Sequence, residues 1–249
     1  MEWRHRWDAQ QSRYLPEREV RFAAMVDWVE ALEGRRPRCL DLGCGTGAVS
    51  ERVLARLPHA RSVGVDFDPV LLRVGSTGLG DVHGRMAWVD ADLRDPRWTS
   101  SLPRGLYDAA LSSTALHWLT GPQLTRFYRS LGRVLRPGGV LLNLDQIAFP
   151  VRATRIGRAA KELRHGRVRV AQAQAEVQGE EWTEWWNAVA REPALRTELE
   201  VRARRFPHEH AGTPTPDLDG HRARLRAAGF VEVEVVWALG DSRILAAVR

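Results

Sequence analysis

The residues whose types and spacing most clearly imply chemistry are 37–47, PRCLDLGCGTG. A short apolar strand (Cys39, Leu40, Leu42) runs into a loop holding Gly43, Gly45 and Gly47, and the helical pattern AVSERVLARL follows at once. Glycine lets the backbone turn sharply and lets a ligand approach without meeting a Cβ. The helix start behind the loop offers unpaired N–H groups. Together these make a strand–glycine loop–helix unit of the nucleotide-binding type. The spacing is G-x-G-x-G rather than the dinucleotide G-x-G-x-x-G, and Asp41 stands two residues before the first glycine. A pyrophosphate would want the longer loop. A plain tight turn would not need three glycines and an aspartate together.

Further candidates follow along the chain. The apolar run SVGVD ends in Asp66, 19 residues beyond Gly47, close to the roughly 20-residue offset of a ribose-binding acid in this class of fold. A carboxylate can accept from both ribose hydroxyls, and Phe67 could lie against an adenine face. Asp68-Pro69 reads as a helix N-cap. Asp90, Asp92 and Asp95 cluster in DADLRD, but the partners a metal would need are absent, so no metal is expected and solvated loop carboxylates are the commoner outcome. His117, in SSTALHWL, has the pKa range of a general base, although a histidine in ALHW also suits a pocket wall. Tyr14 is a second, weaker candidate base.

The string DLGCGTG resembles motif I of class I S-adenosylmethionine-dependent methyltransferases of the small-molecule type, and GVDFDP resembles their motif II. The resemblance runs through four motifs over roughly residues 37–145. It implies S-adenosyl-L-methionine as cofactor and S-adenosyl-L-homocysteine as product. It further implies cofactor contacts from Asp41, Gly43, Cys44, Gly45 and Gly47, with Asp66 on the ribose and Phe67 on the adenine. Asp92 would receive the adenine amino group and Leu93 would supply the next backbone N–H. Ser112 closes the fourth strand, where the methyl group should sit. The stretch RWDAQQSRYLPERE looks like the leader that covers the cofactor in such enzymes, which brings in Tyr14.

The elements that must position these residues alternate between strand and helix. Helical patterns are expected over 17–32, 48–57, 70–74, from Gly121-Pro122 to Leu135, and over 218–228. Strands are expected at 39–42, 62–66, 85–89 and 107–112, after the turn at Pro137-Gly138-Gly139, and as a terminal hairpin around Gly240-Asp241. Residues 75–84 read as a glycine-rich connection. This predicts an α/β, Rossmann-like three-layer sandwich. Its seven-stranded, mostly parallel sheet has one antiparallel strand, and a helical lid is inserted between strands five and six. The parts are a capping arm and helix (1–36), a cofactor-binding core (37–145), a lid (146–216) and a closing helix and hairpin (217–249). In the lid, Trp182, Trp185, Trp186 and Val189 share one helical stripe. Core packing explains it, and an aromatic substrate wall formed by Trp182 and Trp186 is the alternative.

Composition narrows the partners. The chain has 249 residues, 44% hydrophobic and 27% charged, which is ordinary for a soluble globular protein. No apolar run reaches a membrane span, and the start MEWRHRWDAQ lacks a signal-peptide core, so a cytoplasmic protein without membrane contact is expected. Cys39 and Cys44 have neither redox nor zinc spacing and read as reduced thiols. Residues 152–169 hold seven cations against Glu162 alone and so carry the whole net charge of +6. A solvated helix face, paired with Glu176, Glu180, Glu181 and Glu184, accounts for this run. Binding of a carboxylate or phosphate on a substrate is the second reading, and nucleic acid the third, because a nucleic-acid binder would spread its charge over a long groove.

The expected function is methyl transfer to a small-molecule acceptor. The fourth strand ends in SSTA rather than an Asn/Asp-Pro-Pro-aromatic string, and no Pro-Cys pair is present. Oxygen, carboxylate, nitrogen and carbon acceptors stay open, as does oligomeric state. The alternatives are an RNA-modifying methyltransferase using 152–169 and a non-catalytic cofactor-binding module.

Overall fold

The strand–helix alternation produces one seven-stranded sheet in the order β3-β2-β1-β4-β5-β7-β6. The structure, a computed structural model, describes residues 2–175, 180–206 and 216–249. The strands are β1 (Arg38–Leu42), β2 (Arg61–Asp66), β3 (Met86–Asp90), β4 (Tyr107–Ser113), β5 (Leu135–Gln146), β6 (Glu232–Leu239) and β7 (Ser242–Val248). Only β7 runs antiparallel to its neighbours. Strand order reverses between β1 and β4, both pairing in parallel. Ligands bind at such a switch point, beyond the carboxyl ends of the strands.

Helices cover both faces. The helices α5 (Gly121–Val134) and α9 (Leu218–Ala227) lie on one, where Leu124, Phe127, Leu131 and Leu225 meet Leu40, Leu42 and Leu141. On the other, α2 (Arg18–Glu33) and α3 (Ala48–Arg56) bring Phe22, Met25, Val49 and Val53 onto Cys39, Leu111 and Leu142. Local chemistry sets several helix starts. The helix α4 (Pro69–Gly78) begins with Pro69 in its first turn, and the Asp68 carboxylate accepts from Val70 N at 3.0 Å. Thr120 and Gln123 form a capping box at α5, and Asp217 accepts from Gly220 N at α9. Each satisfies backbone donors the helix leaves unpaired.

Two local expectations are corrected. Residues 75–78 are not a connection: α4 continues through them and ends before Gly80, which sits at φ +70°. A Cβ on Gly75 would lie 2.6 Å from the Trp88 ring and one on Gly78 3.1 Å from Arg4 Cβ, so close packing asks for glycine at both. The arm before residue 17, where no helix is expected, is the helix α1 (Glu2–Tyr14). Its sequence shows little apolar periodicity, and tertiary contacts fix it instead. Trp7 packs on Val70, Val74, Trp185 and Val189, and Arg4 forms a two-bonded pair with Glu51 at 2.7 and 2.8 Å.

The lid between β5 and β6 contains α6 (Thr154–Ala175), α7 (Trp182–Val189) and α8 (Arg196–Arg205). The basic run forms most of α6, but its cations do not pair with the acids expected. Arg152 meets Asp219, Arg164 meets Asp241 and Arg167 meets Glu17, whereas Glu180 and Glu181 hold Arg6 and Arg13 of α1. Glu176 lies outside the described residues.

Candidate active site

The glycine loop is fastened to the end of β2. Val65 O accepts from Gly43 N and Cys44 N, at 2.8 and 3.1 Å. Gly45 N donates to the Asp66 carboxylate at 2.7 Å. Gly43 sits at φ +69°, and a Cβ there would lie 2.2 Å from the Ala115 Cβ. This glycine lets the loop after β4 pack directly on the loop after β1. At Gly45, φ +53°, a Cβ would make only ordinary van der Waals contact, with Leu71 Cδ1 at 3.9 Å.

Asp41 and Cys44 serve this loop from below. Asp41 is buried, and one carboxylate oxygen accepts from Ser50 N and Ser50 Oγ at 2.9 and 2.7 Å. It thereby caps α3, whose own N-cap, Gly47, has no side chain to do so. Burial pushes its pKa up to about 6, although the Ser50 bonds pull the other way. Its second oxygen, Oδ1, is buried without a hydrogen-bond partner, as is the Thr46 hydroxyl. The Cys44 thiol is buried and its pKa raised, which leaves the backbone as the part of Cys44 available to a ligand.

Asp66 ends β2 with a carboxylate that accepts from three backbone amides: Gly45 N, Phe67 N and Asp68 N, the last two at 2.7 and 2.9 Å. Burial raises its pKa to about 6 against these bonds. A carboxylate has about four acceptor positions, so one remains. The Phe67 ring is half-buried, with the Arg205 guanidinium 4.5 Å and the Phe206 ring 5.6 Å from its centroid. Arg205 also donates to both oxygens of Asp90 at 2.8 and 2.9 Å and to Phe67 O at 2.8 Å, and Arg202 pairs with Asp68 at 2.6 Å. The lid helix α8 is thus clamped across the tips of β2 and β3. Asp92 accepts from Arg94 N and Nε, and Leu93 beside it is buried.

The other side of the cleft lies beyond β4 and β5. Ser112 is fully buried and its hydroxyl donates to Leu42 O at 2.9 Å, so this side chain ties two strands together. Thr114 holds φ +52° at the turn toward His117; such conformations gather where surrounding structure enforces them, often at active sites. His117 Nδ1 lies 2.8 Å from Asp145 Oδ1, and His117 N donates to Asp145 Oδ2. Burial lowers the His117 pKa, but the hydrogen bond and charge of Asp145 outweigh it and hold it above the ordinary value. Deeper in, the Tyr128 hydroxyl and His221 Nδ1 are 2.7 Å apart. Burial takes the His221 pKa down to about 4 and raises that of Tyr128, so the pair is a neutral phenol beside a neutral imidazole.

The remaining candidates join the arm to the lid. Tyr14 Oη lies 3.4 Å from Glu181 and accepts from Trp182 N at the same distance. Trp182 and Trp186 pack their rings with Trp7, 5.3 and 6.3 Å between centroids, and Arg202 stacks on Trp186 at 3.8 Å. These tryptophans thus form one aromatic cluster with the arm. Asp145, Arg202 and Arg205 were not among the residues singled out in the sequence. Asp145 ends an apolar strand, a weak signal, and the two arginines gave none.

The sheet, its switch point and the glycine-loop cleft define a Rossmann-like domain of the methyltransferase type. Residues 39–139 match the family model described as "Methyltransferase domain". Trans-aconitate 2-methyltransferase of Azoarcus sp. (strain BH72) is 35% identical over 136 residues, 54% of this chain and 49% of that one. The rRNA N(6)-adenosine-methyltransferase metl-5 of Caenorhabditis elegans is 28% identical over 130 residues, 51% of this chain and 59% of that one. Human N-acetylserotonin methyltransferase in complex with SAM superposes with a TM-score of 0.56 at 14% identity, over 92% of this chain and 52% of that one. The chain therefore carries a methyltransferase domain over residues 39–139. It spans about half the length of the curated relatives it matches. No described helix is long and apolar enough to cross a membrane. Among the described residues no group of three His, Cys, Asp or Glu is placed to hold a metal ion.

Proposed function

We propose that the chain is a methyltransferase that uses S-adenosyl-L-methionine, releases S-adenosyl-L-homocysteine and acts on a small-molecule acceptor. One observation carries this reading: Gly45 N and the Asp66 carboxylate meet at 2.7 Å at the tips of β1 and β2, where the strand order reverses. The residues fit the cofactor. Asp66 keeps an acceptor position for a ribose hydroxyl, and Phe67 presents a ring toward an adenine. Asp92, which accepts from Arg94, and the backbone of Leu93 would serve the adenine edge. The buried, unpartnered Asp41 Oδ1 calls for a donor at the foot of the loop, brought by a ligand or an ordered water.

The bound cofactor supplies an electrophilic methyl group on a sulfonium. The chain's own work is to hold the acceptor in line and keep water out, and orientation can supply most of the acceleration. Where the acceptor must lose a proton, His117 takes it. Its Nδ1–H donates to Asp145, which leaves Nε2 as the free acceptor. Asp145 holds the ring in place and stabilises the imidazolium that forms. The arm and α8 shut the cleft from above.

The test is thermal denaturation with S-adenosyl-L-homocysteine. Wild-type protein should gain several degrees, and Asp66→Ala should lose the gain while remaining folded. No shift in wild-type protein would refute the reading. RNA modification, the activity named for one relative, finds less support, because the basic run lies on one helix turned toward Asp219, Asp241 and Glu17 rather than along a long groove. Salt-dependent RNA binding would reverse that preference.

A further inference from the structure

The basic helix α6 does more than cover the sheet. Near the tip of the β6–β7 hairpin it closes a cleft of about 30 Å³ whose polar wall is Arg21, Arg164, Arg167 and Ser242. Pro16, Leu163 and Leu239 supply apolar wall, with Ala160 between. The arginines come from two distant parts of the chain: Arg21 from α2, and Arg164 and Arg167 from one turn of α6.

Their charges are incompletely answered. Arg21 is 4% exposed, and its nearest acid is Glu17, 3.8 Å away. Nη1 donates to the Ser242 hydroxyl at 2.6 Å, and Nε is buried without a partner. Burial depresses its pKa, Glu17 offsets part of that, and the like charge of Arg167 depresses it further. Arg167 takes its bond from the same Glu17, at 2.8 Å. Arg164 faces Asp241 at 3.1 Å and reaches Gln146 with Nη1. Three guanidinium groups therefore share two carboxylates, and a buried cation short of an anion is costly.

The place of the cleft matters as much as its charge. Gln146 and Ser242 face each other at the last register position of β5 and β7. Asp145, one residue earlier, holds His117 from the opposite face of the sheet. The cleft thus flanks the tip of β5, which carries the partner of the proposed base, with β4 and β5 between it and the glycine loop.

We propose that this cleft anchors a carboxylate group of the methyl acceptor, with the acceptor's apolar body lying on Leu163, Leu239 and Pro16. A volume of about 30 Å³ takes about two water-sized groups, the size of two carboxylate oxygens. The planar guanidinium fork suits a carboxylate, and the apolar wall favours an organic acid over a free inorganic anion. The assignment rests on the methyltransferase reading for the word acceptor, but not for the binding itself.

Calorimetric titration separates the two. Sodium hexanoate, 1-hexanol and inorganic phosphate are each titrated into wild-type protein and the Arg164→Gln, Arg167→Gln and Arg167→Lys variants. Hexanoate should bind wild-type protein saturably and at least tenfold more weakly to either glutamine variant, with Arg167→Lys falling between wild-type protein and Arg167→Gln because it keeps the charge without the fork. Hexanol should not bind, and phosphate should bind at least tenfold more weakly than hexanoate. Hexanoate that binds all four proteins alike, or none, would overturn the proposal. Phosphate matching hexanoate would overturn the carboxylic-acid class. S-adenosyl-L-homocysteine titrated into wild-type protein gives the independent arm: its failure removes the methyltransferase reading and leaves the hexanoate result to judge the cleft.

Discussion

His117 Nδ1 and Asp145 Oδ1 stand 2.8 Å apart at the tips of adjacent parallel strands. Two opposing effects act on this imidazole: burial disfavours its charge, and Asp145 more than restores it. Where the acceptor must be deprotonated, activity requires neutral His117, so kcat should rise with pH through a value above 6.5. Asp145→Asn removes the carboxylate and leaves the burial. The acid limb should then move to lower pH, with kcat down by about tenfold or more. His117→Ala should cost about 10²-fold or more, the usual scale of general-base catalysis. A pH–rate profile of both variants is the measurement, and an unmoved limb in Asp145→Asn would show that the pair is only structural.

Gly43 and Gly45 both have positive φ, yet they should fail differently on substitution. Gly43→Ala puts a methyl 2.2 Å from the Ala115 Cβ, a clash no side-chain rotation relieves. It should cost about 2 kcal/mol or more of stability. Gly45→Ala meets no close neighbour and should cost only the strain of a left-handed alanine, about 1–2 kcal/mol. Its methyl stands instead on the loop that would hold the cofactor, so binding of S-adenosyl-L-homocysteine should weaken at least tenfold. Urea denaturation and calorimetry on the two variants separate the effects.

The contrast between these glycines and Asp145 shows what was legible in the sequence. Turn residues, caps and the offset of Asp66 are local signals, and they located β1, β2, α3 and the start of α4 within a residue or two. The seven-stranded sheet with its single antiparallel strand followed from the strand–helix alternation and the terminal hairpin. Partners across the fold were not legible. Asp145 is 28 residues from His117, and Arg205 is 115 residues from Asp90; no periodicity joins them. The helix α1 was missed because its stability comes from Trp7 and Arg4 meeting distant elements rather than from its own pattern. The same cause misassigned the partners of the α6 arginines.

Asp41 makes stability depend on pH. An acid whose folded pKa is raised contributes stability that is complete below its unfolded value, near 4, and lost as pH rises through the folded value. For Asp41 that value is about 6, so its loss falls between about pH 4 and 6. The amount is on the order of 3 kcal/mol. Asp41→Asn cannot ionise but can still accept from Ser50. Its unfolding free energy should therefore fall less between pH 4.5 and 7.5 than that of wild-type protein. Equal slopes in urea titrations at the two pH values would remove Asp41 as the cause.

Trp7 joins the arm to the lid, and removing it should release both. The ring is 8% exposed, 4.8 Å from Trp185 and 5.3 Å from Trp182, and large-to-small changes at such sites cost about 3–5 kcal/mol. Here the loss is local, because the sheet and its two main apolar clusters do not include Trp7. Trp7→Ala should therefore keep a cooperative thermal transition while α1 becomes an early site of proteolytic cleavage. Tyr14 and Glu181, which meet at the far end of the arm, would separate, and the cleft would lose part of its cover. Binding of S-adenosyl-L-homocysteine should then weaken through a faster dissociation rate rather than a slower association. Stopped-flow measurement of both rates distinguishes a lost cover from a damaged binding surface, because an exposed cleft admits the ligand as readily as before and only retains it less well.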